Sequence, residues 1–314
     1  MIVALAGGVG GAKLAQGLAI AAEPARLSVV VNTADDFDLY GLRICPDLDT
    51  VMYTLAGMAD PVQGWGVAGD TVATLTGIAA YGREPWFKLG DRDVATHILR
   101  TEALRGGAPL SAVTAELAAA LNVRSRLLPM SDDRVSTLIE TPAGRLDFQD
   151  YFVARRQQDK VTGVTFDGIG QARLGPGVAE ALTKAETVVV CPSNPFVSVG
   201  PILAVPGMAV ALAASPAPVV AVSPIVNGRA LKGPAAAMLA SLGHEVSPLG
   251  VARLYVGTID GFVLDETDAA SARAVAALGI EPLVTRTVMG GAADRARLAA
   301  EILAWAGGLG RCRS

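Results

Sequence analysis

Residues Met1–Ile20 read MIVALAGGVGGAKLAQGLAI. Ile2 to Ala6 is an apolar run of the length of one buried strand. Gly7, Gly8, Gly10 and Gly11 follow, interrupted only by Val9, and from Ala12 onward Leu14, Leu18 and Ala19 recur at helical spacing. A strand, a glycine-rich turn and a helix N-terminus in that order suit a phosphate group. Glycine allows close backbone approach and positive φ, and the first turn of a helix carries unpaired N–H donors. Lys13 adds a charge in that first turn. The spacing matches neither GxxxxGK[ST] nor GxGxxG with its usual acidic follower, so the loop alone specifies a phosphate and no particular ligand. A tight strand-to-helix turn with no ligand is the plainer alternative.

Leu27 to Val31 (LSVVV) is a second β-branched run, closed by Asn32-Thr33-Ala34-Asp35-Asp36. A βαβ unit of about thirty residues opens a doubly wound α/β fold, in which ligands sit beyond the carboxyl ends of the strands. Asp35 and Asp36 fall at that edge, where adjacent acids hold a metal or hydroxyl groups, or cap a turn. The pattern resumes at Thr187–Cys191, Val219–Val222 and Phe262–Leu264. These runs end in Pro192-Ser193-Asn194-Pro195, Ser223-Pro224 and Asp265-Glu266. Small polar groups beside prolines at successive strand ends point to one shared site. Helices are expected at Pro176–Lys184, Gly233–Leu242, Ala269–Leu278 and Ala292–Trp305. The expected class is a Rossmann-like, mostly parallel sheet with helices on both faces, its core formed by residues 1–60 and 171–314.

Between these halves lies a stretch of different texture, residues 61–170, read as an inserted helical and β-hairpin portion. Pro46-Asp47-Leu48-Asp49 leads into a short helix, with Asp47 or Asp49 suited to its N-cap. Lys88-Leu89-Gly90-Asp91-Arg92-Asp93 precedes another helix, with Asp91 or Asp93 at its start and Thr96, His97 and Arg100 on its following turns. Ser136–Thr141 and Arg145–Val153 alternate around Pro142-Ala143-Gly144 and read as a hairpin.

Composition narrows the function classes. The chain has 314 residues, 51% hydrophobic and 18% charged, with net charge −4, which describes a globular protein and not a nucleic-acid surface. Cys45, Cys191 and Cys312 are scattered, without CxxC spacing, so neither a thiolate metal site nor a disulfide framework is expected. Prolines interrupt the longest apolar stretch, Ile202–Val222, and no membrane span is expected. The expectation is a cytoplasmic protein, with a homodimer as the candidate assembly.

Taken in order, AGGVGGAKL, VVNTADD, CPDLDTVMYTLAG, KLGDRDVATHILR, LLPMSDD, FQDYFV, PSNPFVSVGPIL and VSPIVNGRALKGPA resemble the 2-phospho-L-lactate transferases of deazaflavin coenzyme biosynthesis, from Ile2 to about Ala304. The resemblance implies an α/β Rossmann-like fold with an added portion. It also implies transfer of a phosphorylated three-carbon acid from a guanylated donor, such as lactyl-2-diphospho-5′-guanosine, to the ribityl hydroxyl of the deazaflavin Fo. GMP is released, and the product is coenzyme F-420 before glutamylation. A divalent metal, usually magnesium, is implied, as are deazaflavin contacts at Asp49 and Lys88.

On that reading Asp49 orients or deprotonates the attacking hydroxyl, and Asp35 or Asp36 helps to hold Mg2+. Gly8, Gly10, Gly11, Lys13, Ser193, Asn194 and Ser223 receive the nucleotide and its phosphates. Arg92 is open between transition-state support and a surface ion pair. The competing reading is a nucleotide-sugar-binding regulatory protein of the gluconeogenesis-factor type, which shares the glycine start and the acid pair. A nicotinamide oxidoreductase is disfavoured, because the acid expected about twenty residues beyond the glycines is not singular and no Ser/Tyr/Lys or His pair completes such a site.

Overall fold

The computed structural model describes residues 1–309, so Cys312 lies outside the described residues. Strand β1 (Ile2–Ala6), helix α1 (Gly8–Ala21) and strand β2 (Leu27–Val31) form the opening unit, with β1 and β2 parallel from Ile2 against Leu27 to Ala6 against Val31. Every residue of both strands is buried, as expected of parallel strands covered on both faces. Alternation divides them between two core layers. Val3 and Leu5 join Val190 and Phe262 on one side of the sheet, while Ile2, Ala4 and Ala6 join Val189 and Val263 on the other.

The chain then forms a small hairpin, β3 (Phe37–Leu39) and β4 (Leu42–Ile44), followed by α2 (Pro46–Leu55), α3 (Ala73–Ala80), α4 (Asp91–Arg105) and α5 (Leu110–Ala120). Strand β5 (Arg126–Pro129) returns to the main sheet beside β2. Residues 126–129 therefore belong to the sheet although they fall within the stretch expected to be inserted. A three-stranded antiparallel sheet follows, β6 (Ser136–Thr141), β7 (Gly144–Asp147) and β8 (Gly163–Asp167), in the order 7-6-8. The main sheet continues with β9 (Thr187–Val190) and β10 (Val219–Val222). After the short hairpin β11 (Ile225–Val226) and β12 (Arg229–Ala230) come β13 (Gly261–Asp265) and β14 (Glu281–Thr285).

Strand order in the main sheet is β14-β13-β10-β9-β1-β2-β5, all parallel. The chain leaves β1 toward β2 and β5 and later returns to β9 on the other side. The β1/β9 junction is thus a topological switch point, the position where such sheets bind ligands. Helix α1 lies against α2 and against the last described helix, Ala292–Ala306. The contact is close enough that a Cβ on Gly17 would stand 2.2 Å from the Arg295 carbonyl oxygen. Among the described residues no single helix is long and apolar enough to cross a membrane.

Several local expectations are corrected. Helix α1 begins at Gly8, not Ala12, so the glycines form its first turn. Neither Asp47 nor Asp49 caps α2. Cys45 occupies that position without a side-chain cap and Pro46 starts the helix, leaving both acids free for longer-range partners. Asp91 is turned away from its own helix, accepting hydrogen bonds from the Ala73 and Thr74 amides at the start of α3. The hairpin strand stops at Asp147, because Asp150–Ala154 coils into a wide helical turn. The expected helix Ala269–Leu278 splits into a tight turn, Glu266–Ser271, and a short helix, Ala272–Ala276. Strands β8 and β14 had no apolar run to announce them; both are half exposed.

Candidate active site

A cavity of about 760 Å³ opens beyond the carboxyl ends of β1, β9, β10 and β14, reached by Gly7–Gly10, Pro192–Asn194, Ser223 and Thr287. Part of the lining is built from backbone. Gly8, in the left-handed region at φ 63°, turns the chain from β1 into α1. Gly10 allows the helix to pass the Pro192 loop, since a Cβ there would lie 2.2 Å from the Pro192 carbonyl oxygen. Ser193 joins the two loops: its Oγ accepts from the Gly7 amide at 3.2 Å and donates to the Gly7 carbonyl at 2.8 Å. Gly11 packs behind, toward Ser193 Oγ and Ala6.

Positive charge gathers around this turn. Lys13 Nζ donates to the Met289 carbonyl at 3.3 Å, and burial lowers its pKa, with Arg295 and Lys232 adding to the effect. Lys232 Nζ donates to the carbonyls of Val62 (3.1 Å) and Gln63 (2.6 Å), fastening the loop that carries Trp65. A helix N-terminus beside clustered lysines is an anion site by both backbone and side-chain electrostatics.

Asp47 and Asp49 stand two residues apart in the first turn of α2 and reach different partners. Asp47 accepts from the Gly8 amide at 2.8 Å and from Asn32 Nδ2 at 3.0 Å. The same Asn32 amide donates to Asp35 at 3.1 Å, so two buried carboxylates share one neutral donor. Burial pushes Asp47 up to about 6, against the hydrogen bonds from Asn32 and Gly8. Burial, followed by the neighbouring Asp47 charge, raises Asp35 well above the usual carboxylate range, and among the described residues no group donates a hydrogen bond to its Oδ1.

Asp49 is instead gripped by both terminal nitrogens of Arg100, one at 3.0 Å. Arg100 is 2% exposed. Burial opposes its charge, but Asp49 more than compensates, so the guanidinium holds its proton more tightly than usual. His97 completes the group, with Nδ1 3.3 Å from Arg100 and Nε2 3.3 Å from Asp93. Asp93 in turn accepts from the Tyr53 hydroxyl at 2.7 Å. Asp49, Asp93 and His97 are close enough to share a cation, but Arg100 already supplies the positive charge there.

Aromatic side chains form another part of the lining: Trp65, Trp86 and Phe87, with Phe148 and Phe152 stacked at 5.4 Å and 7°. Lys88 Nζ donates to Gln63 Oε1 at 2.8 Å and stands 5.6 Å from the centre of the Trp65 ring.

Of the residues expected from sequence, Gly8, Gly10, Lys13, Asp49, Lys88, Ser193, Asn194 and Ser223 border this one cavity. Three have side chains committed locally. Ser193 holds Gly7, Asn194 accepts from the Phe196 amide, and Ser223 exchanges hydrogen bonds with Ile225. Asp35 lies behind Asn32. Asp36 turns to a separate cavity of about 420 Å³, with Arg43 at 3.8 Å, and burial raises it to about 7. Arg92, 57% exposed in its side chain, hydrogen-bonds the Ala68 carbonyl and pairs with Asp70 at the surface.

Sequence reasoning gave no site role to Arg100, Asp47 or Lys232, nor to the aromatic side chains that line the cavity. The i, i+4, i+7 spacing of Asp93, His97 and Arg100 on one helix face was the available signal.

The sequence matches the 2-phospho-L-lactate transferase CofD family over residues 2–283. It is 48% identical over 285 residues to a phosphoenolpyruvate transferase of Streptomyces griseus, covering 89% of this chain and 90% of that one. It is 41% identical over 288 residues to a 2-phospho-L-lactate transferase of Methanosarcina mazei, covering 92% and 94%. A crystal structure of a UPF0052-family protein from Bacillus halodurans shares the fold, with TM-score 0.62 and 18% identity over 96% of this chain and 98% of that one. A Rossmann-like sheet with its glycine turn and acid pair at the switch point, matched over nearly the whole chain, places this protein in the 2-phospho-L-lactate transferase CofD family.

Proposed function

We propose that this transferase moves a phosphorylated three-carbon acid from its guanosine-diphosphate-type donor to the ribityl hydroxyl of the deazaflavin Fo, in coenzyme F-420 biosynthesis. The observation that carries the reading is one cavity lined by a glycine turn with lysines, by aromatic rings and by a fixed carboxylate. The hydroxyl oxygen attacks the phosphorus that bears the acid. The bond from that phosphorus to the GMP oxygen breaks, GMP leaves with the electron pair, and the hydroxyl proton is released. Such transfer depends mainly on positioning and charge stabilisation.

The diphosphate fits the turn at Gly8–Gly11, with Lys13, Lys232 and Arg295 offsetting its charge, and the guanosine fits beside Ser193, Asn194 and Ser223. The deazaflavin ring fits against Trp65, Trp86 and Phe87 with Lys88 at its rim, where its hydroxyl side chain meets Asp49. Magnesium fits the Asp35–Asp47 pair: two buried carboxylates share one neutral amide, and one oxygen accepts no hydrogen bond among the described residues. Magnesium takes one or two protein carboxylates and keeps oxygen ligands otherwise; bound there, it would neutralise charge on the phosphates. Asp36 fits less well, because Arg43 already faces it.

For the donor acid we favour phosphoenolpyruvate over 2-phospho-L-lactate and 3-phosphoglycerate. Six relatives at 41–48% identity carry the phosphoenolpyruvate transferase name, four of them at 45–48%, whereas two relatives named for 2-phospho-L-lactate stand at 41%. The test is incubation with Fo, magnesium and an equal mixture of the three guanylated acids, read by mass spectrometry. The enolpyruvyl phosphodiester and GMP are expected to dominate. A lactyl product would overturn the donor assignment alone, while no phosphodiester from any donor would return the protein to the nucleotide-sugar-binding class, which the transferase relatives do not favour.

A further inference from the structure

We infer that Arg100 is a positioning residue for the transfer: it holds Asp49 as a pre-aimed hydrogen-bond acceptor for the attacking hydroxyl, with His97 steadying the pair. The inference rests on the reading above that the acceptor hydroxyl meets Asp49. Arg100 does not border the cavity, whereas Asp49 and His97 do, so the guanidinium acts on substrate only through the carboxylate.

The geometry is specific. Both terminal nitrogens of Arg100 reach the two Asp49 oxygens, and Nη1 also lies 3.3 Å from His97 Nδ1 and 3.5 Å from the Arg43 carbonyl. A fork-to-fork pair fixes the carboxylate plane as well as its position, which a point charge cannot do. One lone pair on each oxygen is used by the fork and one remains. The remaining lone pair is the one that accepts the hydrogen bond of the attacking hydroxyl, so the fork fixes the carboxylate without blocking its use as an acceptor. His97 stands beside one tine of the fork, its Nδ1 3.6 Å from Asp49 Oδ2 and 3.3 Å from Arg100 Nη1.

A buried arginine beside a carboxylate is also what a purely structural ion pair looks like, and the test must separate the two. Arg100→Lys keeps the charge and loses the fork; Arg100→Gln loses both. With folding checked by circular dichroism and thermal unfolding, turnover at saturating Fo is expected to fall about 10-fold and about 100-fold respectively, since an ångström of misplacement costs on that order. KM for the guanylated donor should stay within about twofold, because the donor's diphosphate is held elsewhere. In Arg100→Ala, added methylguanidinium is expected to restore turnover at least tenfold where urea or sodium does not.

Folded Lys and Gln variants that retain turnover within about twofold of the parent overturn the inference. So does a loss that merely tracks the folded fraction and spares kcat per folded molecule. If Arg100→Ala does not fold, the Lys and Gln variants decide. The underlying reading fails differently: Asp49→Asn would then turn over normally, whatever the Arg100 variants do.

Discussion

Where the glycine turn lines the cavity the chain presents backbone, and where the aromatic residues line it the chain presents side chains. Asp47 and Asp49, neighbours on α2, show the contrast at the scale of single groups. Asp47 is held by an amide N–H and an asparagine, both neutral, and shares the latter with a second buried carboxylate. Asp49 is held by a guanidinium. A buried anion must be paired or neutralised, and the two sites meet that demand differently. The Asp49 site is electrically complete within the protein. The Asp35–Asp47 site retains a demand for positive charge, which burial expresses as raised pKa values.

The comparison can be broken in four places. The largest effect is expected from Asp49→Asn, which removes the oriented anion and should lower turnover by about 10²-fold or more in folded protein; a loss below about tenfold, measured under saturating substrates, would remove Asp49 from the centre of the reaction. Next is Gly10→Ala. Its Cβ would overlap the Pro192 carbonyl, and overpacking of that kind costs about 1–3 kcal/mol. Urea denaturation should show that cost and titration calorimetry should show weaker GDP binding; unchanged affinity would separate the turn from the phosphate.

Asp35→Asn addresses the incomplete site. The half-saturating magnesium concentration should rise about tenfold, and chelation by EDTA should abolish turnover of the parent. In metal-free buffer near neutral pH the variant should melt no lower than the parent, because a crowded buried carboxylate has been replaced by a neutral group. A clearly lower melting temperature would show that Asp35 stabilises the fold without a cation. Lys88→Ala should be mildest, raising KM for Fo about two- to fivefold with the donor KM unchanged, in keeping with an exposed cation beside an aromatic ring. An equal rise in both constants would deny that Lys88 serves the deazaflavin alone.

Much of the α/β core was legible because parallel strands buried on both faces are continuous apolar runs. Ile2–Ala6, Leu27–Val31 and Val219–Val222 match the observed strands residue for residue. Edge strand β14 was not legible, since Glu281-Pro282 and partial exposure remove that signal. At the site, residues whose role is backbone geometry could be named from local spacing, as Gly8 and Gly10 were, whereas Lys88 was named from the family resemblance alone. Residues whose role depends on a partner far along the chain could not. Asp47 reads as a helix cap until Gly8 and Asn32 are brought to it, and Arg100 reads as a surface arginine until α4 packs against α2. Local sequence carries propensity and period; it does not carry the pairing of buried charges.

Ser193 and Gly7 are 186 residues apart and exchange hydrogen bonds in both directions. During synthesis the βαβ unit at the amino end has everything it needs for local structure long before β9 leaves the ribosome. Its glycine turn, however, lacks the serine that secures it and the proline loop that walls it. Closing so long a loop is slow relative to forming the local unit. The nascent chain therefore completes the cavity at its glycine turn only when β9 docks beside β1, and a truncated amino-terminal half would carry the turn without the wall that closes it.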